Sequence, residues 1–231
     1  MPAPREPAIE WRPVLRARLS MLLPDATTAT RRALEQSVRP RAAHRGDVLV
    51  GQGGEMQFVL LLDGHAAVRR GGREGKQLLL WVASAGELLC VNAVTFTDSP
   101  FDLVWLTDGT AATWRGELIR PLAAQDPGFC LALIDRAASI GMTLTGRIDA
   151  LAFRDTRGRL AAACLEYRDL VFHERHPAIS RTDLAALVGA SREMVARCLR
   201  HFEERGYLKR IGRTGLVLLD EQGLRRYLEG A

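Results

Sequence analysis

The sequence predicts an α+β protein in three parts, at residues 1–125, 126–155 and 156–231. In the first part, short apolar runs separated by glycine turns predict a small β-sandwich, barrel or roll. In the second, apolar residues spaced alternately three and four positions apart predict one long helix. In the third, two capped segments on either side of a glycine predict a helix-turn-helix, and a strand pair after them predicts a wing.

The overall composition is that of a globular protein. The chain has 231 residues, of which 47% are hydrophobic and 26% are charged, which suffices for one large core or two small ones. Because no apolar run approaches about 18 residues, the sequence predicts no membrane-spanning helix. The first seven residues lack the apolar stretch that a secretory signal needs. These features predict a cytoplasmic protein with no membrane partner.

The first part begins with two segments, 13–23 and 30–38, whose scattered apolar positions fit short helices. Runs of strand length follow at residues 48–50, 58–62, 66–68, 77–82 and 103–106. Turns such as Asp63-Gly64 and Asp108-Gly109 separate these runs. Short strands at this spacing are typical of a compact all-β domain.

A heptad seam marks the second part. Six apolar or small residues follow at spacings of 3, 4, 3, 4 and 3: Ile134, Ala137, Gly141, Leu144, Ile148 and Leu151. Asp126 can cap this helix, and Pro127 suits its first position, where no backbone N–H is needed. The seam by itself fits either a helix that pairs with a second copy of the chain or one that packs on its own domain.

The third part contains the most informative motif, at residues 180–199. Ser180 is expected to cap a short helix that buries Leu184, Leu187 and Val188, and Gly189 then supplies a left-handed turn. Ser191 caps a second helix, whose apolar face consists of Val195, Cys198, Leu199 and Phe202. The predicted wing comprises residues 207–211 and 216–219, and a closing helix at 221–228 follows Asp220 as its cap.

The opposite face of the second helix carries charges that suit base recognition. Arg192 and Glu193 stand at its N-terminal end, where a recognition helix enters the major groove. Arginine can bond guanine O6 and N7 together, and glutamate can accept a bond from cytosine N4. The alternative is a solvated face on which Glu193 favours the helix dipole. The predicted DNA contacts are Arg181, Ser191, Arg192, Glu193, Arg197, Arg200 and Arg213, and the net charge of +5 is compatible with them.

The chain resembles the CRP/FNR superfamily of bacterial transcription regulators over nearly its whole length. The matching residues are 46–53 and 61–64 in the N-terminal half and, more closely, 189–197 in the C-terminal half. Arg192, Glu193 and Arg197 fall on the three base-reading positions of the branch founded by the cyclic-AMP receptor protein. The resemblance implies a cyclic-nucleotide-binding-type β-roll, a dimerisation helix and a winged helix-turn-helix.

The resemblance also implies partners. It favours the dimer interpretation of the heptad seam, so that the chain is a homodimer with those six residues at its interface. Such a dimer is expected on palindromic double-stranded DNA with GTGA-like half-sites about one helical turn apart. RNA polymerase is a candidate partner.

The sequence departs from the family at the phosphate cassette. Cyclic-nucleotide-binding members carry a ribose glutamate and an Arg-Ser or Arg-Thr pair there, and the aligned positions here are Val91, Phe101 and Asp102. No arginine or lysine lies between Lys76 and Arg115, although a phosphate site needs cations or N–H groups. The sequence therefore predicts that the chain senses an effector other than a cyclic nucleotide, or none.

Two other effector classes stay open. An apolar or aromatic ligand would use the candidate pocket Cys90, Phe96, Phe101 and Trp105, although such aromatic residues also suit a core. Haem would use His44, His65 or Cys90 as axial ligands, and no other cofactor is predicted. The competing functional class is an intracellular ligand receptor that does not bind DNA.

Enzymatic motifs are absent from the sequence. There is no Walker loop, no G-x-S-x-G and no H-E-x-x-H, so no enzyme activity is predicted. Cys90, Cys130, Cys164 and Cys198 stand singly, which predicts reduced thiols and no metal site.

Overall fold

The protein is described here by a computed structural model that covers residues 9–72 and 75–229. The first seven residues, where no secretory signal was predicted, lie outside the described residues. The described residues form two compact units, 9–72 with 81–143 and 75–80 with 144–229. The first contains β-sheets and the second a helix-turn-helix, with a long helix running from one into the other. The predicted fold class is confirmed, whereas the three domain boundaries stay a prediction.

Apart from a helix at residues 116–125, which was not predicted, the helices lie close to the predicted positions. They are α1 Trp11–Leu22, α2 Thr28–Ser37, α3 Gly116–Gln125, α4 Pro127–Phe153, α5 Thr156–Glu166, α6 Arg168–Val171, α7 Arg181–Val188, α8 Arg192–Glu204 and α9 Glu221–Glu229. The strands are β1 Arg39–Ala43, β2 Val48–Val50, β3 Gln57–Asp63, β4 His65–Gly71, β5 Gln77–Ser84, β6 Leu88–Leu89, β7 Asp102–Trp105, β8 Gly109–Arg115, β9 Leu208–Ile211 and β10 Gly215–Leu218.

The strands of the N-terminal half form two four-stranded sheets, in the orders β1-β8-β3-β6 and β2-β7-β4-β5. The core of this unit includes Phe58, Trp105 and Trp114, each almost fully buried. The Trp105 ring lies over Gly109, where a Cβ atom would be 2.3 Å from the ring. The indole N–H of Trp114 donates to the Leu34 carbonyl at 2.9 Å, which ties α2 to β8. These contacts identify Trp105 and Trp114 as core residues.

Helix α4 is long, apolar and little buried. Phe129 and Leu133 are its buried residues, and its most apolar stretch has a mean hydropathy of 1.2 with 11% of it buried. By length and composition alone this helix could cross a membrane. The sequence predicted no such helix, because charged residues, Asp135-Arg136 and later Arg147 and Asp149, interrupt its apolar run.

The C-terminal unit packs α5, α7 and α8 around a shared core that includes Leu160, Leu184 and Phe202. The Tyr227 ring on α9 meets the Phe202 ring edge-on at 5.3 Å between centroids. The side chain of Arg159, on α5, connects two other helices of this unit. Its guanidinium donates to the carbonyls of Arg154 at 2.6 Å and Val188 at 2.8 Å, so it joins the end of α4 to the end of α7.

Candidate nucleic-acid interface

The first helix of the helix-turn-helix is fixed by a capping box. The Asp183 N–H donates to the Ser180 hydroxyl oxygen at 3.2 Å, and the Ser180 N–H donates to the Asp183 carboxylate at 2.9 Å. These reciprocal bonds satisfy backbone donors at the start of α7. Gly189 ends the helix with a φ of +61°, the left-handed conformation that the sequence predicts.

Helix α8 begins as predicted, with the Met194 N–H donating to the Ser191 hydroxyl oxygen at 3.1 Å. Its buried residues are Val195, Cys198, Leu199 and Phe202, which are the four predicted from the spacing. This apolar face sets the rotation of the helix, because any other rotation would expose those side chains to water.

The outward face of α8 presents four charged residues. Arg192, Glu193, Arg197 and Arg200 are exposed. Glu193, Arg197 and Arg200 lie on the side opposite the buried residues, and Arg192 lies in the first turn at the edge of the buried face. The pKa of Glu193 is lowered by a hydrogen bond from its own backbone N–H, by the Ser191 hydroxyl and by Arg192 and Arg197. Glu193 is therefore ionised at neutral pH and can act as an acceptor but not as a donor.

Two further predicted DNA contacts lie outside α8. Arg181 is half-buried at the first position of α7, and its Nε has no hydrogen-bond partner among residues 9–72 and 75–229. Arg213 is exposed in the turn between β9 and β10, directly after Gly212 with its φ of +55°. The structure therefore presents predicted contacts on α7, on α8 and at the tip of the wing.

The wing itself is a two-stranded antiparallel ribbon, with Arg210 opposite Leu216 and Ile211 opposite Gly215. The Glu203 carboxylate on α8 accepts two hydrogen bonds from Arg210 of β9. Sequence reasoning missed this pair, because a Glu and an Arg seven positions apart across a helix end show no recognisable spacing.

The heptad seam follows one side of α4. Ile134 is 57% exposed and Ile148 is 65% exposed, and Ala137 and Gly141 between them are exposed as well. A Cβ atom at Gly141 would meet nothing within 4 Å. Within one chain, this face is therefore largely uncovered.

The other two seam residues are more covered. Leu144 is half-buried. Leu151 is 42% exposed, and its Cδ2 would lie 3.0 Å from a Cβ at Gly189, so this side chain lies against the turn between α7 and α8.

Of the candidate effector residues, Phe96 alone lines the groove beside the start of α3. Phe96 is 60% exposed and lines an open groove of about 410 Å³ beside the start of α3, but Cys90, Phe101 and Trp105 do not line that groove. Cys90 is buried, and this burial raises the pKa of its thiol to about 12. Trp105 belongs to the core, although its buried Nε1 has no hydrogen-bond partner among the described residues.

The cassette region is occupied by internal contacts. The Asp102 carboxylate accepts the Gln52 N–H at 2.7 Å. Arg136 of α4 donates to the Glu87 carboxylate at 2.7 Å and to the Leu88 carbonyl at 2.6 Å. The guanidinium of Arg136 is thus already paired at the turn where the cassette begins.

The candidate haem ligands His44 and His65 each have carboxylate neighbours. His44 pairs with Asp108 at 3.2 Å between Nδ1 and Oδ2. Burial lowers the pKa of His65 against the opposing effects of Asp63 and Glu87. In the part of the chain that the structure describes, no three His, Cys, Asp or Glu side chains are grouped as metal ligands.

Comparison with known proteins supports the resemblance. Residues 158–227 match the family of Crp-like helix-turn-helix domains. The chain is 33% identical over 103 residues to the cAMP-activated global transcriptional regulator Vfr of Pseudomonas aeruginosa, a match that covers 42% of this chain and 48% of that regulator. It is 25% identical over 178 residues to the cAMP-activated global transcriptional regulator CRP of Salmonella typhimurium, covering 73% of this chain and 84% of that protein.

A solved structure extends the likeness to the fold. The c-di-GMP responsive global regulator CLP of Xanthomonas campestris superposes with a TM-score of 0.69 at 21% identity, over 83% of this chain and 99% of that one. At this identity the superposition supports the fold alone. Residues 158–227 therefore match a Crp-like helix-turn-helix domain, and the chain is similar in sequence to cAMP-activated regulators and in fold to regulators of the CRP/FNR family.

Proposed function

We propose that the chain is a homodimeric, sequence-specific DNA-binding regulator that inserts α8 of each subunit into the major groove of a palindromic site. The observation that carries the proposal is the division of α8 into two faces. Four apolar side chains anchor the helix, and Arg192, Glu193, Arg197 and Arg200 face outward at neighbouring positions. A recognition helix needs this arrangement, because its base contacts must project while its rotation stays fixed.

The charged face supports base reading more than general attraction to phosphate. An ionised Glu193 between two arginines would weaken binding to the sugar–phosphate backbone, whereas it can accept a hydrogen bond from cytosine N4. Arg192 and Arg197 can each bond guanine in the same groove. Arg181 and Arg213, on α7 and the wing, suit phosphates on either side.

The dimer is inferred from the uncovered seam on α4. An apolar face with Ile134 and Ile148 more than half exposed is costly in water. The heptad spacing fits a second α4 related by a two-fold axis, and the small residues Ala137 and Gly141 allow close approach of two backbones. Two chains related in this way would present two α8 helices to two half-sites. We infer this occupant and not a lipid bilayer, because a DNA-binding unit follows the helix directly.

We further propose that this chain is not controlled by a cyclic nucleotide, although the matched Vfr and CRP proteins are named as cAMP-activated. Val91, Phe101 and Asp102 replace the family's ribose and phosphate ligands, and Asp102 is engaged with Gln52. Arg136, the cation that α4 brings to this region, is engaged with Glu87. A phosphate there would lack the charge-assisted bonds that offset its desolvation.

A gel-shift experiment with genomic fragments tests the DNA-binding proposal. In the presence of competitor DNA, a subset of fragments should be retained with a Kd of about 10 nM or tighter, as specific protein–DNA complexes show. The retained complex should contain two chains per site. Uniform weak retention of all fragments, or none, would favour the receptor that does not bind DNA.

A further inference from the structure

The wing is joined to the end of the recognition helix by one carboxylate. Glu203 lies on the last turn of α8. One of its oxygens accepts the backbone N–H of Arg210 at 3.0 Å, and the other accepts the Arg210 Nε–H at 2.5 Å. Both bonds reach one residue of β9, so they fix the strand's backbone and side chain together.

The surroundings of this pair make it more than an ordinary surface contact. The side chains of Arg210 and Glu203 are 31% and 29% exposed, so water screens them only in part. The backbone N–H of Arg210 holds the pKa of Glu203 below its usual range, with smaller contributions from the charges of Arg210 and Lys209. The carboxylate is therefore ionised, and both of its oxygens remain acceptors.

The second strand of the wing is held from the other side. The Thr214 hydroxyl donates to the Arg175 carbonyl at 2.8 Å, and the Leu216 N–H donates to the His173 carbonyl at 3.1 Å. Gly215 fits closely against the Glu174 carbonyl, since a Cβ atom there would lie 1.9 Å from its oxygen. Each strand therefore has its own support, and the exposed tip with Arg213 projects beyond both.

We propose that Glu203 is a positioning residue for DNA binding: through Arg210 it sets the wing so that Arg213 reaches a backbone phosphate while α8 occupies the major groove. The assignment rests on the proposed function. Arg213 follows Arg210 by three residues along β9 and the turn, so a tilt of β9 moves its guanidinium directly. A wing released from Glu203 should no longer hold its phosphate but should keep the base contacts of α8, which lie on a separate element.

The chain offers a matched control in Glu204. This neighbour carries the same charge one position later and is exposed on α8. Glu204→Gln therefore measures what the removal of one negative charge near DNA does by itself. Glu203→Gln removes the same charge but keeps only one acceptor oxygen, so it cannot maintain both bonds to Arg210.

The experiment measures DNA affinity against salt concentration for full-length wild type, Glu203→Gln, Glu204→Gln, Arg213→Ala and the double variant Glu203→Gln/Arg213→Ala. Relative to Glu204→Gln, Glu203→Gln should bind about three- to tenfold more weakly. The plot of the logarithm of its DNA-binding constant against the logarithm of salt concentration should become less steep. The slope should lose roughly 0.9 per wing, or about 1.8 per dimer, because each wing no longer neutralises one phosphate. Arg213→Ala should make the plot less steep by the same amount. The double variant should have the same affinity and the same salt dependence as Arg213→Ala. The selected DNA sequence should stay the same throughout.

Each outcome supports or overturns the positioning role. If Glu203→Gln and Arg213→Ala lower affinity additively, or if Arg213→Ala leaves the salt slope unchanged, the positioning role is wrong. If the wild type binds no DNA specifically, the proposed function fails first. If circular dichroism shows that Glu203→Gln is unfolded, Arg210→Met replaces it as the test variant, because it removes the side-chain bond from the β9 side. Lys209→Met is then the control for the lost positive charge. The effects of Arg210→Met and Arg213→Ala on DNA affinity should again not be additive.

Discussion

The hydroxyl of Thr27 donates a 2.8 Å hydrogen bond to the Asp126 carboxylate, and so links the start of α2 to the start of α4. The Thr27 N–H donates to the same oxygen at 2.8 Å, and the Phe129 N–H donates to the other oxygen at 3.1 Å. One buried carboxylate thereby accepts from the first turns of two helices, where a negative charge is favoured by both dipoles.

Asp126→Asn should destabilise the protein by about 1–3 kcal/mol, because the amide cannot replace all of these charge-assisted bonds. The expected consequence is a lower midpoint in urea at pH 7. Asp25→Asn, at an exposed position nearby, is the control and should leave the midpoint nearly unchanged. Equal urea midpoints for Asp126→Asn and wild type would show that the hydrogen bonds to the Asp126 carboxylate contribute little to the free energy of unfolding.

The same carboxylate predicts a pH dependence. Hydrogen bonds from Thr30, Thr27 and Phe129 hold the pKa of Asp126 well below its usual range. A lowered pKa stabilises the folded state above the ordinary carboxyl value of about 3.9, and this stabilisation is lost as the pH falls below it. The urea midpoint of wild type should therefore fall between about pH 4 and pH 2 more steeply than that of Asp126→Asn. Parallel curves for the two proteins would count against the assignment.

The sequence predicted this cap only in part. Asp126 and Pro127 are adjacent to the helix that they begin, so local rules identify them. Thr27 lies 99 residues earlier, and no local pattern indicates that pairing. The same limit applies to β1 and β8, which pair along Arg39–Ala43 without any alternation of apolar residues in β1, and which were not predicted.

The helix-turn-helix was more predictable than the sensor region. Ser180, Gly189 and Ser191 act on their immediate neighbours, so their roles follow from sequence spacing. Trp105 was a candidate effector residue, but whether an aromatic residue lines a core or a cavity depends on distant chain segments. Its placement over Gly109 required the tertiary structure.

Arg192→Ala should reduce affinity for the selected DNA site by roughly 1–3 kcal/mol and relax the preference at one guanine in each half-site. The reason is that alanine cannot form the two bonds to guanine expected at the N-terminal end of α8. Arg205→Ala removes the same charge at the other end of the helix and should leave the base preference intact. Binding assays on single-base variants of the DNA site measure the affinity and the base preference of each protein variant. An unchanged preference in Arg192→Ala would remove this residue from the base contacts.

Gly141→Glu should weaken the dimer by about tenfold or more, which corresponds to about 1.4 kcal/mol. The substitution places two carboxylates opposite each other across the proposed two-fold axis. Ser139→Glu puts the same charge on the other side of α4, also exposed, and should have little effect. Sedimentation at several concentrations gives the dissociation constants. A wild-type monomer at micromolar concentration would refute the proposed α4 interface.

Cyclic AMP and cyclic GMP should neither bind with micromolar affinity nor raise the affinity for DNA. Calorimetry on protein that binds its DNA site is the measurement, since active protein excludes misfolding as the cause of a negative result. A micromolar Kd for either nucleotide would show that the cassette is aligned wrongly or that another cation holds the phosphate. Arg136→Gln would then identify whether the guanidinium now paired with Glu87 takes that role.

Selection of binding sites from random double-stranded DNA tests the central claim most directly, because it assumes neither a target gene nor an effector. The wild-type protein should enrich a palindrome with GTGA-like half-sites whose centres lie about one helical turn apart, as two α8 helices related by a two-fold axis require. Enrichment of an unrelated or non-palindromic motif, or of no motif, would contradict the assignment of α8 as the recognition helix of a homodimer.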